Sequence, residues 1–298
     1  MNILIANVGN IRVNEIKVLA EALNKKHRVT IACMMTESSN KGLAFSFRDK
    51  PIRVTPLVYK DIIKSSAWIA QGDLKSVSNT SSQKLAAFDD IAAYEFGGTP
   101  ADAVAVTLAE TMAHRKPDLV ICGINNGNHM GQDIYCSSNI GMAFESAFLG
   151  FKTIAVAIER KIGGHTDVEL ENVATFIEKN VENFVALDLP SNTILNINVP
   201  TVTKYKNFRG VHAARMGRMT QLNEYVEKTD SNGEKYYWAN HVERRNADQG
   251  EQYARTWFEQ GYITITPISY DSTDYEAIRT WDIKKDFTNA VAAEEAQA

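Results

Sequence analysis

The stretch NILIANVGNIRVNEIKVLAEALNKKHRVTIAC, residues 2–33, reads as strand, helix, strand. Asn2–Ala6 is a short apolar run without polar alternation, as in a strand covered on both faces. Over Asn14–Asn24, Ile16, Leu19, Ala20 and Leu23 fall at i, i+3, i+4 and i+7, which is one face of a helix. Lys25 and Lys26 then sit at the negative end of its dipole. Arg28–Cys33 is a second β-branched run.

The same alternation continues outward. Arg53–Tyr59 reads as a third strand. Thr99 is a candidate N-cap, with Pro100 at the first helical position and Asp102 three residues on, a variant capping box; the helix is expected to run to about His114. Pro117–Cys122 follows as a strand. A long Gly/Asn-rich loop, Gly123–Ser138, leads into a helix with Ile140, Phe144, Ala147 and Phe148 on one face. Thr153–Ile158 is the next strand and Glu169–Val185 an amphipathic helix. After Ile194–Val199 the pattern changes: Phe208–Arg215, Tyr236–Val242 and Tyr262–Pro267 read as strands without long helices between them, and Lys228–Lys235 carries a hairpin signal. The tail from Asp274 reads as helical and frays through Ala290–Ala298. Ser65–Lys84 is polar and rich in turn formers, and reads as a surface excursion. The expected fold is α/β, a doubly wound, mainly parallel sheet with a C-terminal antiparallel β extension.

Composition narrows the class. The 298 residues are 44% hydrophobic and 23% charged, with a formal net charge of −4, values typical of a globular chain. They exclude a disordered or collagen-like chain, and the mild acidity argues against a binder of nucleic-acid polymers. The longest apolar runs are strand-sized, so no membrane span is expected, and the N-terminus lacks the features of a signal peptide. Cys33, Cys122 and Cys136 form an odd set without metal-type spacing, which points to a reduced, cytoplasmic compartment.

Open α/β sheets bind ligands at the carboxyl ends of their strands, near a topological switch point. Three loops follow strands and carry small polar residues: Asn7–Val13, Met34–Ser46 and Gly123–Ser138. Asn7, Ser39 and Asn125 could converge from them. The third loop, Gly123-Ile124-Asn125-Asn126-Gly127-Asn128-His129-Met130-Gly131, suits close approach of backbone to a small polar ligand. Ser137, Ser138 and Asn139 open the next helix, where one hydroxyl caps it and the remaining hydroxyl and N–H groups make an anion site. His129 lies in the ligand loop and reads as a polar loop side chain, with a general acid or phosphate partner as the alternative. Asp102 reads as a helix-start carboxylate. Arg209, Arg215 and Arg218 read as a solvated strand face or an oligomer contact. No Walker A loop, nucleophile elbow or dinucleotide fingerprint is present.

Asn7, Val29-Thr30, Ser39, Gly98-Thr99-Pro100-Ala101-Asp102, Gly123-Ile124-Asn125, Gly127, Gly131, Gly141 and Glu145 together resemble the survival protein SurE family. Leu195-Asn196-Ile197-Asn198-Val199-Pro200 and Gly261-Tyr262-Ile263-Thr264-Ile265-Thr266-Pro267 resemble its later landmarks, so the likeness spans about residues 1–275. It implies one domain over 1–298: a Rossmann-like core over 1–200, a β extension and C-terminal helix over 201–298, and an insertion at 65–84. It implies a cytoplasmic phosphomonoesterase acting on nucleoside 5′- or 3′-monophosphates. It further implies a divalent metal, Mg²⁺ or Mn²⁺, and a homodimer or homotetramer that exchanges its β extension.

The resemblance breaks at the metal. Where the family loop reads Asn-Asp-Asp-Gly and both aspartates bind the ion, this chain has Asn7-Val8-Gly9-Asn10. Ser39 and Asn125 match the remaining metal ligands, while Asn7, Ser137, Ser138 and Asn139 are the expected phosphate-binding set. Gln132 replaces the first of two later acids, Asp133 keeps the second, and Asn139 stands where threonine is usual. Glu37 or Asp133 could supply a carboxylate, since Glu37 lies two residues from Ser39 and points the same way in an extended loop. Two readings follow: a phosphomonoesterase with an impaired or rebuilt metal site, or an inactive protein that binds a nucleotide, phosphate or other small ligand on the same fold.

Overall fold

A computed structural model describes residues 1–47, 49–64, 91–201, 208–246 and 248–281. The expected excursion at 65–84 and the fraying tail at 290–298 lie outside these residues.

Residues 1–268 make one unit. Its strands are β1 (Asn2–Asn7), β2 (Arg28–Met34), β3 (Val54–Val58), β4 (Ala92–Phe96), β5 (Leu119–Asn126), β6 (Thr153–Ile158), β7 (Thr193–Val199), β8 (Val211–Ala213), β9 (Met219–Thr229), β10 (Lys235–Asn246) and β11 (Ile263–Ser269). Nine of the described strands form one sheet in the order β3-β4-β2-β1-β5-β6-β7-β11-β8. The pairs from β4 through β7 are parallel, and β3 is antiparallel on the edge. The chain runs outward from β1 to β2 in one direction and from β5 to β7 in the other, so the switch point lies between β1 and β5.

Both faces of the sheet are covered, which explains the unbroken apolar strands. On one face α1 (Asn14–Leu23) and α6 (Asp167–Ala186) bury Ile16, Leu19, Leu23, Val173, Ile177 and Val181 over Ile3 and Ile5. On the other, α3 (Pro100–Val106) and α5 (Ser138–Phe148) bury Val104, Ile140 and Ala143 over Leu4 and Ala6. The two-residue period of β1 continues past its last residue, so Val8 packs with Leu4 and Ala6 in the second layer. Two short helices, α2 (Tyr59–Lys64) and α4 (Asp133–Cys136), fill connections.

Several boundaries differ from the sequence expectation. The helix after Thr99 leaves α geometry at Val106 and ends in a wider π turn, Thr107–Thr111, short of His114. The capping box is present, with Asp102 accepting from the Thr99 N–H at 2.9 Å. Burial opposes the charge on Asp102, but bonds from Ser46 and Thr99 outweigh it and hold the carboxyl below its usual range. The loop expected over Gly123–Ser138 is in part ordered: β5 runs on to Asn126, and α4 occupies Asp133–Cys136. The expected β extension divides. Only β9 and β10 form an antiparallel pair apart from the sheet, while β11 lies beside β7 and pairs in parallel with β8. Short β-branched runs carry no signal of their partner, and Phe208–Arg215 and Tyr262–Pro267 find theirs in the main sheet. The helix α7 (Ala254–Glu259) lies between β10 and β11. A second unit begins at Ser269; within it α8 (Tyr275–Thr280) is capped by Asp274, which accepts from Glu276 and Ala277 N–H at 3.1 and 2.9 Å.

Candidate active site

A cavity of about 380 Å³ opens among the loops that leave β1, β2, β5 and β6. Val8, Ser39, Asn125, Ser137, Ser138 and Asn139 line it, so the expected ligand loops do converge. Asn7 does not line it. Its side chain is buried and turned onto its own loop, where Oδ1 accepts from Gly9 N–H at 2.8 Å.

The second loop is stapled to the third. Ser138 Oγ accepts from Lys41 N–H at 2.8 Å and donates to Ser38 O at 2.7 Å, and Gly42 N–H donates to Cys136 O at 2.9 Å. A Cβ on Gly141 would come within 2.3 Å of Gly42 O, so only glycine lets this loop lie on α5. Ser138 thus fixes Ser39 in place, with its hydroxyl already engaged in both directions. Asn139 Nδ2 donates to Cys122 O at 3.0 Å. The cap is Ser137, whose Oγ accepts from Ile140 N–H at 3.3 Å. The backbone N–H groups of Ser138 and Asn139 have no intrahelical partner and point out of the helix start, a ready anion cradle.

Asn125 Nδ2 donates to Gly127 O at 2.9 Å, which leaves the amide oxygen for a ligand. Its place depends on a register shift between β5 and β6: Cys122 pairs with Ala155, and Asn125 with Ala157. Gly123, at φ +135, sits where a Cβ would meet Val156 O at 2.3 Å.

His129 is buried at the cavity wall, and neither ring nitrogen has a hydrogen-bond partner. Its backbone is pinned instead: Asn198 Oδ1 accepts its N–H at 2.6 Å and Asn196 Nδ2 donates to its carbonyl at 2.8 Å. Burial drives the imidazole down to about 4, with a smaller opposing pull from the Asn196 side chain. The ring is therefore neutral at pH 7.

Among the described residues, no group of three or more His, Cys, Asp or Glu side chains is placed to hold a metal. The oxygens near the expected site come from Glu37, Ser39 and Asn125. Ser39 Oγ donates to Glu37 Oε1, and Ser39 N–H reaches the same oxygen at 3.2 Å. One carboxylate with neutral oxygens and water fits a hydrated Mg²⁺ or Mn²⁺. Asp133 also lines the cavity.

Sequence reasoning missed Arg160 and Asn223 in the wall. Arg160 follows the end of β6, so the strand-end rule would have found it. Asn223 comes from β9, and no local signal announces that the hairpin's base folds back over the third loop. Of the arginines grouped by sequence, Arg218 pairs with Asp248 at 3.1 Å, and Arg209 lies over the Tyr262 ring. Cys33, Cys122 and Cys136 are free thiols. No helix among the described residues is long and apolar enough to cross a membrane.

Known proteins are similar to this chain in sequence and in fold. The family profile described as survival protein SurE matches residues 3–223. A 5′-nucleotidase SurE from Thermoanaerobacter sp. (strain X514) is 31% identical over 288 residues, covering 95% of this chain and 99% of that protein. A 5′-nucleotidase SurE from Alkaliphilus metalliredigens is 29% identical over 280 residues, covering 94% and 96%. The crystal structure of the SurE protein from Aquifex aeolicus matches with a TM-score of 0.69 at 23% identity, over 96% of this chain and all of that one. With a family match over most of its length and a 31% identical relative along nearly all of it, the chain belongs to the survival protein SurE family.

Proposed function

We propose that the protein is a phosphomonoesterase acting on nucleoside 5′- or 3′-monophosphates. The observation that carries this is the cavity at the β1/β5 switch point, where the start of α5 faces Ser39 and Asn125 across about 380 Å³. That volume lies within the range of about 300–1,000 Å³ typical of small-ligand sites. The names of the relatives, 5′-nucleotidase, supply the substrate class.

In this reading the N–H groups of Ser138 and Asn139 hold the phosphate, and Arg160 adds the cation that a dianion attracts. The neutral His129 donates its one N–H as a hydrogen bond toward the phosphoryl group or the leaving oxygen, and its second nitrogen accepts a hydrogen bond from water. Asn125 and Ser39 orient the reacting end by their oxygens. A bound divalent cation would polarise the phosphoryl oxygen and lower the pKa of an attacking water. The assay is release of phosphate from nucleoside monophosphates by purified protein with and without Mn²⁺. Mn²⁺-dependent release is the expected result, and its absence defeats the reading.

One observation favours a second reading. Val8 is packed into the core where the family loop carries an aspartate, and Gly9 has no side chain. A protein that binds nucleotides in calorimetry but releases no phosphate would be a ligand-binding member of the family. We also propose that it assembles as a homodimer or homotetramer through β9 and β10, where Tyr225, Tyr237 and Trp238 are exposed. Light scattering that shows a monomer at micromolar concentration would refute this.

A further inference from the structure

The loop that lost its aspartates has not lost negative charge. A Cβ on Gly9 would lie 3.3 Å from Glu37 Oε2 and 3.3 Å from Asn7 Oδ1. The space a side chain at residue 9 would enter is therefore the space Glu37 reaches from the neighbouring loop. Gly9 lies outside the left-handed region, so its backbone does not itself require glycine. Its bareness leaves room for that carboxylate.

Glu37 is held there. Its Oε1 accepts from both the N–H and the hydroxyl of Ser39, and Ser39 is clamped to α5 through Ser38 and Ser138. Behind it lies a second carboxylate, Glu15, buried, with Oε2 lacking any hydrogen-bond partner. Burial pushes the Glu15 carboxyl up to about 7, with a smaller upward contribution from the Glu37 charge. Among the described residues no basic side chain pairs with either. A solvent-facing carboxylate held against Ser39, with no basic partner of its own, is a direct ligand for a cation.

We infer that Glu37, reaching from the β2 loop into the space left open by Gly9, is the carboxylate that holds a divalent cation at this site, with Ser39 and Asn125 as neutral oxygen donors. This rests on the metal-dependent reading proposed above, but its test does not use turnover. A site with one direct carboxylate keeps several waters on the ion and binds it less tightly than a two-aspartate site.

The experiment titrates the full-length protein with Mn²⁺ alone, reading free Mn²⁺ by electron paramagnetic resonance. The wild type should take up one ion. E37Q should bind at least tenfold more weakly, and because Glu37 is exposed, its denaturation midpoint should match that of the wild type. G9D/E37Q, which returns a carboxylate to the same space from residue 9, should regain most of the affinity. No bound Mn²⁺ in the wild type, unchanged binding in E37Q, or a G9D/E37Q variant no better than E37Q would each overturn the assignment. Loss of phosphatase activity with Mn²⁺ binding intact would defeat the enzymatic reading and leave the cation site standing.

Discussion

The loops after β1 and β5 stand side by side at the switch point, yet they have diverged in opposite ways. The β5 loop keeps its conformation through backbone that only glycine can form: Gly127 at φ +133, and Gly131 at φ +57 with the Met219 backbone 2.5 Å from where its Cβ would be. Its contribution to the site is N–H groups and amides whose position follows from that backbone. The β1 loop contributes through side chains alone. Val8 could replace an acid there by continuing the Leu4, Ala6 face into the core, with no change of main-chain path. A half-site built from backbone resists drift, because a single Cβ wrecks it. A half-site built from side chains can be emptied, and refilled from a neighbouring loop, one substitution at a time.

The sharpest way to break this contrast is to restore the acid where it has become core. V8D places a carboxyl against the Leu4 and Ala6 layer at the cavity wall and should cost about 1–3 kcal/mol in denaturant unfolding, as for a buried polar group without a partner. A cost below 1 kcal/mol would show that the β1 loop can still turn residue 8 outward, and the two loops would then be alike in their tolerance.

The β5 loop is tested through His129. Its folded pKa of about 4 lies below the ordinary 6.5, so the unfolded chain takes up the proton first. The stabilisation is present in full above pH 6.5 and is lost as the pH falls toward 4, amounting to about 3 kcal/mol over that window. H129Q removes this component, and its stability should depend less on pH than that of the wild type between 6.5 and 4. Parallel profiles would mean that the imidazole is not held neutral.

Smaller effects refine the picture. S137A removes the α5 cap and should cost about 1 kcal/mol. The Kd for inorganic phosphate should rise as well if the helix start is the anion cradle, and an unchanged Kd places the anion elsewhere. G9A should be nearly silent in stability, within about 0.5 kcal/mol, because its φ suits alanine and the entropy gained offsets the 3.3 Å contacts with Glu37 and Val13. Its effect should fall on Mn²⁺ uptake, since the methyl group crowds Glu37. A large stability loss would place Gly9 with the backbone-built glycines of the β5 loop.

Much of the frame was legible because periodicity and caps report local physics. Ile16, Leu19 and Leu23 face the core as their spacing requires, and Thr99 with Asp102 starts its helix as the capping box predicts. Ser39 and Asn125 meet because strand-end loops of an open sheet share one rim. What escaped was non-local. Nothing in Phe208–Arg215 says that it will pair with Tyr262–Pro267 on the sheet's far edge. Nothing around Ser138 says that its hydroxyl will be spent on Lys41 and Ser38. The opening at Gly9 and the carboxylate that reaches it come from different loops, and the sequence shows only that Glu37 stands two residues from Ser39.

The hairpin's base has a thermodynamic consequence. Gln132 N–H donates to Met219 O at 2.8 Å, Gly131 rests against that same residue, and Asn223 enters the cavity wall. The first residues of β9 are thus both the root of an eleven-residue strand and one side of the ligand's chamber. A partner that shifted this root would change the affinity for a ligand in the chamber, and by linkage the ligand would change the affinity for that partner by the same factor. In that case a titration of the cavity would also report on whatever grips the hairpin, at a distance of up to the length of one strand.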